Sequence, residues 1–132
     1  MEFPRPFGVA LAVVAGAVSL AGCARAEEPA VERAAAAFED PTGDPEARCD
    51  LLAPAVRAAF ESEESARCSE AIQELATEVG RVESVAIWGG EAQVRMDGDT
   101  VFLTRTGDGW RITAALCTPR HEAPYDCEVE GP

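Results

Sequence analysis

The chain has 132 residues and a formal net charge of −13, and all 11 of its basic residues are arginine. An acidic chain without a basic run lacks the means to neutralise phosphate charge, which excludes an ordinary nucleic-acid binder. Once the N-terminal leader described next is set aside, the remaining length suits one domain and excludes two.

The N-terminal segment combines a short polar start, which carries Glu2 and Arg5, with an uncharged and largely apolar run from Phe7 to Ala21. This order is typical of a secretory signal peptide. The uncharged run has about 15 residues, whereas a helix that crosses a bilayer needs roughly 20. We therefore predict that residues 1–22 are a signal peptide that is removed, and not a lasting membrane span.

The run ends in Leu20, Ala21, Gly22 and Cys23. These four residues resemble the lipobox of bacterial lipoproteins, in which a branched apolar residue and two small residues precede a lipidated cysteine. The resemblance implies signal cleavage between Gly22 and Cys23 and a diacylglyceryl group, carrying chains such as palmitate, on the Cys23 thiol. It also implies attachment to the extracytoplasmic side of the cell membrane. An ordinary secretory signal followed by an unrelated cysteine remains the alternative.

Assigning Cys23 to lipid leaves four cysteines: Cys49, Cys68, Cys117 and Cys127. An even number of thiols in an oxidising compartment predicts two disulfides. We favour Cys49 with Cys68 and Cys117 with Cys127, because each pair lies within one structural half, although the other two pairings remain open. A zinc site is the rival interpretation. The cysteines form no C-x-x-C pair and the single histidine, His121, has no patterned partner, so we predict no metal.

The first half of the mature chain predicts helices after a tether. Residues 24–30 carry charges and a proline without an apolar pattern, so residues 23–30 are predicted to be the lipidated cysteine and its tether, ahead of a single domain over residues 31–132. An alanine-rich helix is predicted from Val31 to about Asp40. Asp44 followed by Pro45 predicts an N-cap and the first residue of a second helix. Further helical segments are predicted up to about residue 61 and over residues 68–75.

After Gly80 the apolar period changes from 3.6 to 2, which predicts four strands over residues 81–88, 91–96, 99–105 and 110–117. Two-residue turns such as Asp97-Gly98 make them an antiparallel meander. Counting outward from the turns predicts three opposed pairs: Ile87 with Ala92, Val94 with Val101, and Leu103 with Ile112. The face that contains these pairs, together with Ala114, is expected to pack against the helices.

The opposite face is predicted to carry Trp88, Phe102 and Ala115. We expect a Cys117–Cys127 bond to turn residues 119–125 back over this face as a loop that partly covers Phe102 and Trp88. With Tyr125 from that loop, these two aromatic residues form the candidate interaction surface. If they stay uncovered, a partner surface becomes the better explanation.

These elements predict the α+β class, with N-terminal helices on one face of a four-stranded antiparallel sheet. Its last hairpin reads Gly-Asp-Gly-Trp-Arg-Ile over residues 107–112. This order of elements and this hairpin resemble the cone-shaped, cystatin-like fold shared by nuclear transport factors and SnoaL-like cyclases. Combined with the lipobox, they resemble small envelope lipoproteins of high-GC bacteria. The resemblance implies a fold and leaves the activity open, since that superfamily contains both enzymes and binding modules.

The residues provide no convergent chemistry. Enzymes that resemble this fold place acid–base groups between helices and sheet, where the predicted inward positions here are apolar. Asp97, Asp99 and Asp108 lie in or beside tight turns, which favours local turn geometry over calcium binding. We therefore expect a non-enzymatic protein without a cofactor, which acts through an envelope protein or the cell wall. The alternative is a small-ligand-binding or isomerase-like protein that uses the space between helices and sheet, which a cavity there of several hundred cubic ångströms with converging polar groups would favour.

Overall fold

A computed structural model describes residues 19–132, together with Glu2 and Pro4. The predicted signal peptide, residues 1–22, therefore lies mostly outside the described residues. The described chain contains four α-helices: α1 Ser19–Glu39, α2 Pro45–Asp50, α3 Pro54–Glu64 and α4 Cys68–Ala71, the last followed by a 3-10 turn over Ile72–Glu74. Five strands follow: β1 Val82–Trp88, β2 Glu91–Met96, β3 Asp99–Thr106, β4 Gly109–Arg120 and β5 Ala123–Glu130.

The strands form one antiparallel sheet in the order β1-β2-β3-β4-β5, which is their order in the chain. The two tight turns need positive φ, and glycine supplies it, with φ of 59° at Gly89 and 88° at Gly98. The α+β class and the predicted meander are thus confirmed. The three predicted cross-strand pairs are also confirmed: Ile87 with Ala92, Val94 with Val101, and Leu103 with Ile112.

The predicted number of four strands is wrong, because the tail forms a fifth strand and not a loop. Strand β4 continues to Arg120, and β5 returns along it with Cys127 opposite Cys117. The tail contains Pro119 and Pro124. Proline is tolerated at a strand edge and at bulges, and here Pro124 lies in the outermost strand while Pro119 lies where the β4–β5 register shifts.

A bulge in β4 overturns one part of the predicted face assignment. The β3–β4 register shifts between Phe102 and Leu103, which leaves Thr113 as an extra residue. Beyond it the side chains exchange faces, so Ala115 is fully buried and Ala114 is only partly buried. Both were expected the other way round, because simple alternation cannot anticipate an inserted residue.

Helix α1 begins earlier than the sequence predicted. The segment 24–30, expected to be a tether without regular structure, is helical, and Pro29 lies inside the helix. Glu27 forms an ion pair with Arg105 of β3, and Ala30 packs against the hydrophobic core. These contacts with the sheet order a segment whose own composition carries no apolar face.

The helices cover one face of the sheet, as predicted. The second helix starts as expected, because the Asp44 carboxylate accepts a hydrogen bond from the Ala47 N–H at 2.8 Å. Between α2 and α3 the backbone pairs with β4, since the Ile112 N–H donates to the Leu51 carbonyl at 2.7 Å. The core between the two layers is built from buried apolar residues, including Val31, Phe38, Leu52, Ile72, Val94, Val101, Leu103 and Ile112.

Candidate functional site

The cysteines divide as the sequence predicted. Cys49 is bonded to Cys68, which ties α2 to α4, and Cys117 is bonded to Cys127 across β4 and β5. Cys23 keeps a free thiol and is exposed. The favoured pairing is confirmed, and Cys23 takes part in neither disulfide.

Cys23 lies on α1 beside the β1–β2 hairpin. Its side chain helps to line a shallow surface cavity of about 200 Å³. The other residues of this cavity are Ala24, Glu27, Ile87, Gly89 and Arg105. The surroundings of Leu20, Ala21 and Gly22, the rest of the lipobox-like motif, lie outside the described part of the structure. The exposed thiol is therefore positioned next to the tip of a hairpin and not at the end of a free tether.

The candidate interaction surface is only partly covered. Tyr125 of β5 packs edge-on against Phe102, with ring centroids 5.1 Å apart, and its hydroxyl accepts a hydrogen bond of 3.4 Å from Gln93. Trp88, the last residue of β1, is 52% exposed. The predicted cover by the tail is thus confirmed for Phe102 and wrong for Trp88, and β5 supplies that cover.

Asp99 reaches far beyond its own turn. Its Oδ2 accepts a hydrogen bond from the Leu116 N–H and its Oδ1 accepts one from the Cys117 N–H, each at 2.8 Å. Leu116 has a positive φ of 55°, so the carboxylate satisfies backbone groups where β4 departs from regular geometry. Asp99 also makes a local contact, because its Oδ1 accepts the Thr100 N–H at 2.6 Å, so it serves both its own turn and the distant strand.

Glu39, the last residue of α1, is buried beside Asp99. It is 2% exposed, and its Oε1 atom has no hydrogen-bond partner in the described part of the chain. Burial, followed by the hydrogen bond to the neighbouring Asp99 carboxylate and by its charge, raises the pKa of Glu39 to about 8, while Arg48 and a backbone hydrogen bond from Glu78 act in the opposite direction. At neutral pH the buried Glu39 side chain is therefore mainly protonated.

Arg48 of α2 is a second buried ionisable residue and is also 2% exposed. Its Nε donates to the Phe38 carbonyl and its Nη2 to Thr77 Oγ1, both at 2.9 Å, and Nη1 donates to the Ile72 carbonyl at 3.4 Å. Burial lowers the pKa of the guanidinium. Arg48 thus connects α1, α2 and the segment after α4 through two backbone carbonyl oxygens and a threonine hydroxyl.

Glu39 and Asp99 line a small cavity of about 70 Å³ at the end of the sheet where β2 turns into β3. Its remaining lining residues are Ala76, Glu78, Asp97, Gly98 and Leu116. Sequence reasoning missed this cavity because its residues come from separate segments. One signal was present: Glu39 follows Ala35 by four positions, which places an acidic residue on the apolar face of the predicted helix.

The metal site and the histidine considered from the sequence are described next. No group of three or more His, Cys, Asp or Glu side chains within the described residues is arranged to hold a metal ion. His121 is exposed at the turn between β4 and β5. A larger groove of about 350 Å³ lies at the surface beside the α2–α3 connection and the last hairpin, with Arg57 and Arg111 in its lining.

Comparison of the chain with protein-family models, with curated proteins and with solved structures found no match. None of the helices that the structure describes is long and apolar enough to cross a membrane.

Proposed function

We propose that this chain is a lipoprotein of a bacterial cell envelope, anchored through lipid on Cys23 and facing the extracytoplasmic side, whose domain is a non-enzymatic interaction module. The observation that carries the proposal is the state of the cysteines. Four of them pair with one another, while Cys23 stays free, exposed and directly after Leu20-Ala21-Gly22. A lipidated cysteine would have this position and this lack of a disulfide partner.

The charge of the chain makes a lipid anchor necessary for membrane attachment. A net charge of −13 is repelled by anionic lipid headgroups, so the protein surface cannot hold the domain to the bilayer. Each buried methylene contributes about 0.8 kcal/mol, and two acyl chains give stable attachment where one chain binds only marginally. A diacylglyceryl group on Cys23 would therefore be sufficient.

The position of Cys23 also bears on the interaction surface. The cavity that Cys23 lines includes Ile87 and Gly89, which flank Trp88 in the chain. Lipid on Cys23 would hold this hairpin close to the bilayer, where an indole is favourably placed. Phe102 and Tyr125 pack against each other, whereas Trp88 is 52% exposed. Trp88 is therefore the member of the proposed surface that remains available to the membrane or to an envelope partner.

The architecture supports the cone-shaped, cystatin-like fold as part of this proposal, because helices cover one face of a five-stranded antiparallel sheet. Apolar side chains fill the space between the layers, which favours an interaction module. The alternative, a small-ligand-binding or isomerase-like protein, would need a larger cavity there. The acidic cavity of about 70 Å³ is well below the roughly 300 to 1,000 Å³ of typical ligand sites.

Intact mass spectrometry and fractionation of the full chain expressed in a bacterium test the anchor. We expect a membrane-bound mature chain that begins at Cys23 and carries the mass of a diacylglyceryl group. The Cys23→Ser variant should carry no lipid, and the mature, membrane-bound form should be missing. A wild-type chain that is unmodified, or that begins at another residue, would contradict the proposal.

Covalent crosslinking in the native membrane tests the interaction module. We expect the wild-type protein to give crosslinked partners that Trp88→Ala loses and that the control variant Glu83→Gln, at another exposed position of β1, retains. Recovery of the protein crosslinked to nothing but itself would count against an interaction module while leaving the anchor intact.

A further inference from the structure

The first residues of α1 are held to the folded domain by contacts on both sides of Pro29. Before it, Glu27 forms an ion pair with Arg105 of β3, and after it, Ala30 packs against the hydrophobic core. Pro29 has no N–H to donate within the helix, so these contacts keep the two parts of α1 in place. Cys23 therefore belongs to a helix that is fastened to the sheet, and not to a flexible tether.

Helix α1 runs from one end of the sheet to the other. Cys23 lines a cavity with Gly89 of the β1–β2 turn, whereas Glu39, the last residue of α1, lines one with Gly98 of the β2–β3 turn. At about 1.5 Å per residue, the helix from Cys23 to Glu39 spans about 24 Å. Strand directions alternate in a meander, so the β3–β4 turn lies at the same end as the β1–β2 turn. We call this end the Cys23 end, and the end with the β2–β3 and β4–β5 turns the far end.

We propose that the Cys23 end rests directly on the bilayer surface, so that the strands point away from the membrane and the far end lies about 24 Å farther out. The partner of this surface is the interfacial region of the lipid bilayer. The inference rests on the proposed lipid on Cys23 and adds to it a fixed orientation of the domain. Because Cys23 lies in the fastened helix, its lipid brings the Cys23 end to the headgroups.

The Cys23 end carries a side chain suited to the lipid interface. Trp88 is 52% exposed there, and an indole combines an apolar ring with an N–H that headgroups or water can accept. The turns beside it project into open space, since a Cβ added at Gly89, Gly90 or Gly107 would meet no atom within 4 Å. These glycines present no side chain that would keep the turns away from the headgroups.

The exposed carboxylates disfavour other orientations. Beside Cys23, Glu27 is paired with Arg105, and Asp108 is the acidic residue of the two turns at this end. The two far-end turns carry Asp97 and Glu122. The helical layer exposes five further acidic residues: Glu46, Asp50, Glu63, Glu64 and Glu70. A carboxylate pressed against lipid loses hydration and is repelled by anionic headgroups, so the far end and the helical side remain in water.

A fixed orientation decides which surfaces a protein partner can reach. The far end and the face that carries Phe102 and Tyr125 stay in water, while the Cys23 end is occupied by the membrane. Trp88 then affects partner contacts by orienting the domain, which is how Trp88→Ala would lose crosslinked partners.

Quenching of tryptophan emission by brominated phosphatidylcholine tests the orientation of the lipidated full chain in phosphatidylcholine vesicles. The difference between wild type and Trp88→Phe isolates Trp88, because the buried Trp110 is present in both. We expect Trp88 to be quenched. His121→Trp, made in the Trp88→Phe variant, places a probe in the β4–β5 turn and should add no quenching. A Trp88 quenched no more than this far-end probe would overturn the proposal.

A flexible insertion gives the domain the tether that it lacks. About eight Gly and Ser residues inserted between Arg25 and Ala26 span about 16 Å on average, which frees the Cys23 end from the lipid. We expect this insertion to remove the quenching of Trp88. The same insertion between His121 and Glu122, in a far-end turn, is the matched control and should retain it. Equal quenching with both insertions would overturn the proposal.

Amide hydrogen exchange of the lipidated chain covers the case in which the insertion disturbs folding. The amides of residues 27–31 should be protected in the wild type. Glu27→Gln should speed their exchange by up to about fivefold, since a partly exposed ion pair contributes little. Glu28→Gln removes the same charge one residue along and should leave the exchange unchanged. Unprotected exchange over residues 27–31 in the wild type would make this segment a free tether and overturn the proposal.

The outcomes separate this orientation from the anchor itself. Intact mass and fractionation of the same vesicle preparation report whether Cys23 carries lipid. A lipidated, membrane-bound chain whose Trp88 is not quenched overturns the orientation and leaves the anchor intact. A chain without lipid on Cys23 overturns both.

Discussion

The two layers of this domain bury different chemistry. The inner face of the sheet contributes apolar side chains such as Val94, Val101 and Leu103, each fully buried. The helical layer buries the ionisable Glu39 and Arg48 and a disulfide between Cys49 and Cys68. Apolar burial depends little on pH, whereas the stability contributed by a buried carboxyl changes with pH. A change of pH should therefore alter the stability contributed by the helical layer more than the apolar packing of the sheet.

The largest expected effect comes from Glu39 and pH. Its pKa is about 8 in the folded chain against 4.5 as the ordinary value, so the folded state retains a proton that the unfolded state loses. Stability from this group is complete below about pH 4.5 and falls as pH rises through about 8, at about 1.4 kcal/mol per pKa unit and on the order of 5 kcal/mol in total.

Urea unfolding at several pH values checks this effect. The difference in unfolding free energy between Glu39→Gln and wild type should grow in favour of the variant from pH 5 to pH 8, because the amide has no proton to lose. Glu83→Gln, which changes an exposed glutamate of β1, controls for net charge. A difference between Glu39→Gln and wild type that stays constant with pH would show that Glu39 ionises normally.

The matching change in the sheet is Leu103→Ala. Leu103 is fully buried and lies opposite Ile112 in the centre of the sheet, so truncation leaves a cavity against the helices. We expect a loss of about 4 kcal/mol, within the range of about 2 to 5 kcal/mol for buried leucines. In the same urea experiment this loss should be equal at pH 5 and pH 8. A strong pH dependence would mean that the two layers are not separable in this way.

Each layer contains one disulfide, so removing the two disulfides separately compares the layers directly. Replacing Cys49 and Cys68 together by alanine opens a loop with a sequence separation of 19 and should cost about 3 kcal/mol. Replacing Cys117 and Cys127 opens a loop with a separation of 10 and should cost slightly less, since the loop is shorter. Amide hydrogen exchange should show the first change mainly in α2 and α4 and the second mainly in β5. Exchange spread evenly over both layers would contradict this division.

The sequence predicted the features of the sheet that depend on local signals and missed those that depend on contacts between strands. The pairing of Leu103 with Ile112 and of Val94 with Val101 follows from alternation and tight turns, which are local signals. The bulge at Thr113 and the strand β5 depend on pairing between strands, which alternation within one segment does not show. Short-range rules therefore gave the register and missed its interruptions.

Of the candidate sites, the sequence predicted the cysteines and missed the cavity at Glu39 and Asp99. The disulfide pairing and the isolation of Cys23 follow from counting cysteines and from their positions. The cavity at Glu39 and Asp99 needs a helix end, a hairpin turn and an irregular β4 to meet in space, and Asp99 reaches across to Leu116. Two carboxyl groups that are 60 positions apart in the sequence carry no spacing that could indicate their contact.

The smallest expected change in stability is at Trp88, which separates a surface role from a structural one. Trp88 is 52% exposed at the end of β1, so Trp88→Ala should alter the unfolding free energy by no more than about 0.5 kcal/mol. On lipid vesicles the lipidated chain should show a blue-shifted tryptophan emission that Trp88→Ala loses, because the buried Trp110 reports a dry environment in both states. Unchanged emission on vesicles would place Trp88 away from the bilayer and leave a protein partner as its remaining role. A stability loss above about 2 kcal/mol would instead make Trp88 part of the sheet's packing. The outer face of the sheet, like its inner face, would then contribute apolar packing to the stability of the domain.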